Sequence, residues 1–237
     1  MKSIEEYRQL RDQTVEYLRA KDKVLFVTTS NRWKGEAGGE LPKSTRLAID
    51  ISRRVGLEKV EIIDVTRLKI YPCEGNVSTK GGNVCGVQAA MLKDKDKNPT
   101  GYHRCYASIN NPDDELWKLS KSLFQSQAVV FFGSVRWGQM NSFYQRLIER
   151  LTWIENRHFA LGEANIVEQI AAGIIVTGHN WNGEQVIATQ KDVLKFYGFE
   201  EAPELCWNWQ FTDTIEDESL ESYVQAGLQF EKTFFTS

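Results

Sequence analysis

The sequence between Ala128 and Ser142 reads AVVFFGSVRWGQMNS, and it contains the clearest structural signal of the chain. Its first five residues are all apolar, which predicts a β-strand that is buried on both faces of a sheet. The segment 133–141 contains two glycines and predicts a loop. Ser142 and Gln145 have the spacing of a capping box, which predicts the start of a helix. This stretch therefore predicts a strand, a loop and a helix in direct succession.

Apolar strands and amphipathic helices continue to alternate on both sides of this stretch. Strands are predicted at 24–27, 59–65, 128–132, 169–177 and 204–209, and helices at 3–21, from 44 onward, at 111–126, from 142 onward, at 185–197 and at 215–230. Continuous apolar strands that alternate with helices favour a parallel sheet covered on both faces, and five strands suit the flavodoxin-like order 2-1-3-4-5. We therefore expect one α/β domain over residues 1–237, a flavodoxin-like three-layer sandwich with an extra N-terminal helix (1–22) and a long excursion after strand 2 (67–111).

Two of the predicted helices carry additional start signals. Ser3 and Glu6 have the spacing of a capping box. Asn111 is a predicted N-cap, Pro112 fits the first helical position, and the acids at 113–115 would complement the helix dipole.

The composition is that of an ordinary globular protein, with 41% hydrophobic and 26% charged residues among 237, and it excludes a disordered or collagen-like chain. The formal net charge of -3 disfavours non-specific nucleic-acid binding, which needs a broad positive surface. No apolar run approaches the roughly 20 residues of a membrane span. The charged N-terminal segment lacks the apolar region of a signal peptide, and four cysteines do not make a disulfide scaffold, so we expect a protein of the reducing cytoplasm.

The loop after the first strand combines the features of an anion site. It runs through Ser30 and Arg32, passes a glycine-rich insertion at 33–42, and ends at Lys43, Ser44 and Thr45. Hydroxyls, two cations and the N–H groups of a helix start favour a phosphate at this position. A solvated loop followed by an ordinary N-cap at Ser44 fits the same residues.

A P-loop is the first alternative for this loop, because a glycine-rich segment, a lysine and a serine follow a strand. The P-loop motif needs a glycine directly before the lysine. Pro42 occupies that position, and proline has no N–H and cannot adopt a positive φ. Asp64, at the end of the second strand, could imitate the acid that binds magnesium, but a phosphate site without magnesium is the better interpretation.

The loop after the third strand has the composition that a flavin ring requires. Such a ring needs backbone donors and a flat apolar or aromatic contact. Gly133 and Gly138 would allow close approach of the backbone, while Arg136 and Trp137 would supply charge and stacking. The alternative is a tight turn between strand and helix, with Trp137 covering the core.

This loop also resembles that of the flavodoxin-like NAD(P)H-dependent FMN reductases and quinone reductases, which reads approximately G-S-P-x-Y-x-G-x-x-S and lies against the isoalloxazine ring. The resemblance extends to the first loop, to Pro72-Cys73, to Asp113-Asp114 and to the segment Leu147-Ile148-Glu149-Arg150. It covers residues 23–155 by motif and 169–232 by pattern. Val135 replaces the family's proline, and the insertion at 33–42 departs from the family's phosphate loop.

The resemblance implies an oxidoreductase that binds FMN, takes electrons from NAD(P)H as co-substrate and passes them to a quinone, a flavin or a similar small acceptor. Because the flavin carries the chemistry, no catalytic side chain and no metal are implied, although His179 is a possible substrate contact. A homodimer or homotetramer is implied, with neither a nucleic acid nor a membrane as partner. The implied cofactor-binding residues are Ser30, Arg32, Ser44, Thr45, Gly133, Ser134, Val135, Arg136, Trp137, Gly138, Gln139, Met140, Gly178 and His179.

The excursion at 67–111 is too long for an ordinary connection, and such segments usually cover a site or bind a partner. We expect it to cover the substrate side of the flavin. Its cysteines, Cys73, Cys85 and Cys105, are too widely spaced to favour an iron–sulfur cluster, and a zinc site with His103 would need unusual geometry. Reduced thiols without a ligand are the favoured interpretation.

Two further classes of function stay open at this point. A non-enzymatic FMN electron carrier would share the fold, although carriers tend to expose a strongly acidic face. A nucleotide-binding protein of P-loop type would instead hydrolyse its nucleotide with magnesium.

Overall fold

Five parallel strands form the central sheet of the computed structural model, which describes residues 2–32 and 39–236. The strands of the described chain are β1 (Val24–Thr28), β2 (Val60–Asp64), β3 (Ala128–Arg136), β4 (Gln139–Met140), β5 (Ala171–Gly178) and β6 (Glu200–Gln210). The parallel strands run in the order β2-β1-β3-β5-β6, and β4 pairs antiparallel with β3 beside this path. This order confirms the predicted flavodoxin-like topology, with one short strand added.

Helices cover both faces of the sheet and complete the predicted three layers. The described helices are α1 (Ile4–Arg19), α2 (Lys43–Val55), α3 (Tyr106–Asn110), α4 (Leu116–Leu123), α5 (Ser142–Phe159), α6 (Gly183–Phe196) and α7 (Leu220–Phe234). One core cluster joins the sheet to α1, α2 and α7, and the other joins it to α4, α5 and α6. The strands supply both clusters alternately, since Leu25 and Val27 belong to one and Val24 and Phe26 to the other.

One of the three predicted capping signals is present and two are not, although α5 does begin at Ser142 as predicted. The Ser3–Glu6 capping box is present. The predicted capping box at Ser142 is wrong, because Asn141 is the N-cap and its side chain accepts a hydrogen bond from the Tyr144 N–H. Asn111 is also not an N-cap: it ends α3, while α4 begins at Leu116.

The segment 133–141 is a β-hairpin, and the prediction of a loop there is wrong. β3 continues through Gly133 to Arg136, turns at Trp137 and Gly138, and returns as β4. The apolar pair Val135 and Met140 aligns the two strands. Trp137 (φ 51°) and Gly138 (φ 71°) both have positive φ, which is the conformation of a two-residue type I′ turn.

The long excursion packs against α5. Arg150 donates to the Tyr71 carbonyl at 2.7 Å, and Arg157 donates to the Tyr102 carbonyl at 3.1 Å. Its regular elements within the described chain are the 3-10 turn Gln88–Ala90 and α3, and a further 3-10 turn, Val65–Arg67, leads into it. Cys73, Cys85, Cys105 and Cys206 are free thiols. No helix of the described residues is long and apolar enough to span a bilayer.

Candidate functional site

A cleft of about 510 Å³ opens at the carboxyl ends of β1, β3, β5 and β6. This is where open parallel sheets bind ligands, and its volume falls in the range of small-molecule sites. The residues that line it are Ser30, Asn31, Arg32, Pro42, Lys43, Ser44, Ser134, Val135, Arg136, Thr177, Gly178, His179, Trp209, Tyr223 and Ala226. The cleft thus brings together the ends of four strands and the helix α7, which lie far apart in the sequence.

Residues from all three predicted loops line this cleft. They are Ser30, Arg32, Ser44, Ser134, Val135, Arg136, Gly178 and His179. The other predicted residues, which are not among its described lining residues, are Thr45, Gly133, Trp137, Gly138, Gln139 and Met140. No described residue of the 67–111 excursion lines the cleft either, so its position over the substrate side of the flavin stays a prediction. Residues 33–38, which hold most of the predicted insertion, lie outside the described residues.

The α2 end of the cleft has the hydroxyls and cations of an anion site. The Ser44 hydroxyl donates to the Ser30 hydroxyl at 2.9 Å, and both serines are buried. Arg32 pairs with Glu40 at 2.6 Å. Lys43 has no hydrogen bond or ion pair within the described chain, and burial together with the neighbouring Arg32 charge lowers its pKa. A phosphate beside Lys43 would counter both effects, because its negative charge would favour the charged form of the lysine.

The P-loop alternative loses its supporting residues in the structure. Pro42 is the N-cap of α2, with φ -53° and ψ 143°, so the helix start lacks the N–H that a glycine would offer there. Asp64 accepts hydrogen bonds from Thr66 and pairs with Arg67 at 3.2 Å. Its carboxylate is therefore engaged within its own turn.

The described lining of the cleft is positively charged. Arg32, Lys43 and Arg136 contribute to it, whereas its described residues include no aspartate or glutamate. The whole chain has a formal net charge of -3, so this charge is concentrated locally rather than inherited from composition. A cleft of one sign of charge attracts ligands of the opposite sign.

The hairpin and the end of β5 form the opposite wall. Ser134, Val135 and Arg136 line it from β3, and Thr177 and Gly178 line it from β5. A Cβ added to Gly178 would make only ordinary contact with Val135, at 3.5 Å, so the packing of this wall does not require a glycine there.

Gly133 and Met140 serve the core beneath this wall. Both residues are buried. A Cβ on Gly133 would lie 2.3 Å from Met140 Cε and 3.0 Å from Thr29 Oγ1. The glycine therefore permits close packing inside the protein, rather than the close approach to a ligand that the sequence suggested.

His179 has a fixed orientation at the edge of the cleft. Its Nε2 lies 2.9 Å from the Asp217 carbonyl, and a carbonyl only accepts, so the proton is assigned to Nε2. The ring stacks on Tyr223 at a centroid distance of 4.1 Å and on Phe211 at 5.5 Å. Nδ1 has no hydrogen-bond partner in the described chain and can accept a hydrogen bond.

Trp209 adds a polar group that the sequence analysis does not assign to the site. The side chain is buried and lines the cleft, and its indole N–H has no hydrogen-bond partner among the described residues. Such an unpaired buried donor is costly unless a ligand or water satisfies it. Lys43 and the serine pair, rather than this enclosed N–H, are the polar groups of the cleft that fit a phosphate-bearing ligand.

Several lining residues lie outside the predicted set. Trp209 occupies the carboxyl end of a predicted strand, which is the signal that could have found it. Lys43 is one of the cations of the predicted anion site, but the resemblance does not assign it. Tyr223 and Ala226 have no such signal, because only the docking of α7 brings them to the cleft.

Trp137 lies at the tip of the hairpin and is 91% exposed. The alternative in which this tryptophan covers the core is therefore wrong. Gly138, next to it, packs beneath Trp181, whose ring would lie 2.7 Å from an added Cβ. The hairpin tip is thus attached to the loop after β5.

The strand order and the position of the cleft define a flavodoxin-like α/β protein with an electropositive ligand cleft. A solved structure with a similar fold is that of RosB with a bound intermediate, 8-demethyl-8-formylriboflavin-5'-phosphate, at TM-score 0.57 and 13% identity over 90% of this chain and 74% of that chain. Azoreductase AzrA has TM-score 0.48 and 10% identity, covering 89% and 96% of the two chains. A putative quinone reductase from Klebsiella pneumoniae has TM-score 0.43 and 15% identity, covering 89% and 83%.

The likeness to RosB shows a common fold. The sequence matches no protein-family model and no curated protein.

Proposed function

We propose that this protein binds FMN in the cleft and acts as an oxidoreductase that passes electrons from NAD(P)H to a quinone, a flavin or a similar small acceptor. The observation that carries the proposal is the union, in one cleft, of the predicted phosphate residues Ser30 and Ser44 with the predicted ring residues Ser134 and Gly178. The ligand of RosB, a riboflavin 5'-phosphate derivative, supports the same class of ligand.

The phosphate would bind at the α2 end of the cleft. Lys43 and Arg32 would supply positive charge, and the Ser30 hydroxyl, which accepts a hydrogen bond from Ser44, would donate its own proton to the phosphate. Charge-assisted hydrogen bonds of this kind are stronger than neutral ones. This end of the site would therefore hold the cofactor and distinguish FMN from riboflavin.

The ring would lie toward the hairpin wall and His179. Ser134, Val135 and Gly178 would position it from two strands, and the fixed His179 would offer its Nδ1 to the ring or to a substrate. Bound FMN would supply the redox chemistry, in which NAD(P)H, a proton and the acceptor give NAD(P)⁺ and the two-electron-reduced acceptor. The protein's own residues bind and orient the reactants.

A homodimer or homotetramer belongs to the same proposal. α7 exposes an apolar stripe, Leu220 (81%), Val224 (53%) and Leu228 (58%), at helical spacing. A contiguous exposed apolar face is typical of a contact surface. Light scattering coupled to gel filtration would give the mass of the assembly.

The decisive experiment compares FMN with riboflavin in the wild type and in Lys43→Gln. The wild type should bind FMN much more tightly than riboflavin in a fluorescence titration. Lys43→Gln should weaken FMN binding by roughly tenfold or more, the value of a hydrogen bond to a charged group, and leave riboflavin binding unchanged. Lys80→Gln, at an exposed lysine, is the matched control.

Equal affinities for FMN and riboflavin in the wild type would contradict the phosphate site. Turnover is a separate question. A steady-state assay of NADH and NADPH oxidation with a quinone distinguishes an enzyme from an electron carrier. Negligible turnover by protein that retains FMN would favour the electron carrier.

A further inference from the structure

The tip of the β3–β4 hairpin presents a cation and an aromatic ring side by side at the edge of the cleft. Arg136 lines the cleft and is exposed, and it has no hydrogen bond or ion pair within the described chain. Trp137 follows it and is 91% exposed, the largest exposed fraction among the large apolar side chains described. Neither side chain contributes to the core, so neither is explained by folding.

The backbone at Trp137 is strained. Its φ of 51° lies in the left-handed region, where a bulky side chain is a rare outlier. A two-residue turn of this type strongly prefers Asn-Gly, which adopts positive φ at little cost. An exposed tryptophan at the first position thus destabilises the turn without any packing to offset it, and strain of this kind clusters at ligand sites.

Neighbouring residues hold the turn in place. Gly138 lies directly beneath the Trp181 ring. The Asn182 side chain donates a hydrogen bond to the Gly138 carbonyl, and Asn182 itself has a positive φ of 62°. The loop after β5 therefore fixes the hairpin tip, and with it the backbone that carries Arg136 and Trp137.

The positive charge of Arg136, on the hairpin wall, lies apart from the proposed phosphate site at the α2 end of the cleft. Lys43 and Arg32 approach the cleft from α2 and the loop after β1, whereas Arg136 belongs to the hairpin wall. A bound FMN would place its phosphate near the first pair and leave Arg136 without an anion. Arginine binds carboxylate, sulfonate and phosphate groups with two parallel hydrogen bonds, and tryptophan stacks on flat rings.

We propose that Arg136 and Trp137 bind the electron acceptor and select planar aromatic acceptors that carry a negative charge. Trp137 stacks on the ring of the acceptor as it enters above the flavin, and Arg136 pairs with its anionic group. This inference rests on the proposed FMN-dependent function, and it names the class of acceptor.

The test uses the FMN-loaded protein, a fixed concentration of NADH or NADPH, and two acceptors that differ in charge, 1,2-naphthoquinone and 1,2-naphthoquinone-4-sulfonate. In Arg136→Gln, kcat/KM for the sulfonate should fall by about tenfold, the value of one charge-assisted contact, while kcat/KM for the neutral quinone stays within about twofold. Arg53→Gln is the control, since Arg53 is an exposed arginine on α2 without a partner in the described chain.

A second variant separates recognition from structure. Trp137→Asn suits the turn, so the melting temperature should stay equal or rise, whereas KM should rise for both acceptors and Trp137→Phe should restore it. Equal effects of Arg136→Gln on the two quinones would overturn the proposal. Unchanged kinetics in Trp137→Asn would also overturn the proposal. So would a Trp137→Asn protein whose oligomer dissociates while its kinetics stay unchanged.

FMN affinity is measured on each variant first. If the wild type bound no FMN, the proposed function itself would fail. Normal FMN binding and turnover without any charge preference would remove only the assignment of the acceptor.

Discussion

Arg150 and Asp114 form an ion pair in which both side chains are completely buried. The guanidinium donates to the two carboxylate oxygens at 2.8 and 2.9 Å, and it also contacts Ser108 and the Tyr71 carbonyl. The pair joins α5 to the segment that leads into α4. Burial alone would raise the pKa of Asp114, but the Arg150 hydrogen bonds and charge outweigh it and hold that pKa below its ordinary value.

Removal of Asp114 should destabilise the protein strongly. Asp114→Ala leaves the Arg150 charge buried without a partner, which costs about 3–5 kcal/mol. Asp113→Ala, at the adjacent exposed acid that pairs with Lys69, should cost less than about 1 kcal/mol. Urea unfolding followed by circular dichroism measures both. Similar losses of unfolding free energy in the two variants would show that the buried pair stabilises the protein no more than the exposed pair does.

Replacement of His103 should change the pH dependence of stability. Burial, and then the Arg150 charge, lowers the pKa of His103 from 6.5 to about 3. Between those values the unfolded chain binds a proton that the folded chain does not, so the free energy of unfolding falls as the pH falls, by up to about 1.4 kcal/mol per pH unit. The full stability is present above pH 6.5.

His103→Gln should remove this contribution. The free energy of unfolding of the variant should therefore decline less between pH 6 and pH 4 than that of the wild type. Urea midpoints at several pH values test this. Parallel curves for the two proteins would be incompatible with a neutral, buried His103.

The double variant Arg32→Gln, Ser44→Ala should retain little FMN. Arg32 provides charge at the cleft, and Ser44 holds the Ser30 hydroxyl at 2.9 Å. Loss of both contacts should weaken FMN binding by roughly tenfold or more, with a nearly unchanged melting temperature. Isothermal titration calorimetry gives the affinity, and an unchanged value would move the phosphate site elsewhere.

Two glycine substitutions should have opposite effects. A Cβ on Gly173 in β5 would lie 2.1 Å from Leu205 Cβ and 2.5 Å from the Leu205 carbonyl oxygen. Because backbone cannot move aside easily, Gly173→Ala should destabilise by about 3 kcal/mol. Gly227, within α7, has no atom within 4 Å of an added Cβ, so Gly227→Ala should stabilise by about 0.5–1 kcal/mol. Thermal melts compare the two, and a stable Gly173→Ala would contradict the packing of β5 on β6.

The sheet order was predictable because its strands are continuous apolar runs separated by amphipathic helices, a pattern that depends on local sequence. The hairpin was not predictable by the same means. Its turn, Trp137-Gly138, lacks the asparagine that usually marks such a turn, and its strand contains Gly133. The local signal was overridden by packing against Trp181 and by the pairing of Val135 with Met140.

The role of Asp114 shows a second limit of sequence reasoning. Three consecutive acids after a proline suggest a helix start, yet only one of them is buried, and its partner lies 36 residues further along the chain.

For the cleft, the three strand ends were foreseeable from the topology. The contributions of Tyr223 and Ala226 were not, since they depend on how α7 docks across the sheet.

The walls of the cleft extend from Ser30 near the first strand to Ala226 in the last helix. A growing polypeptide on the ribosome therefore has no finished cavity until α7 has emerged and docked. Under the proposed function, FMN would be captured late in biogenesis, and a sample that retains it would be one in which α7 has docked.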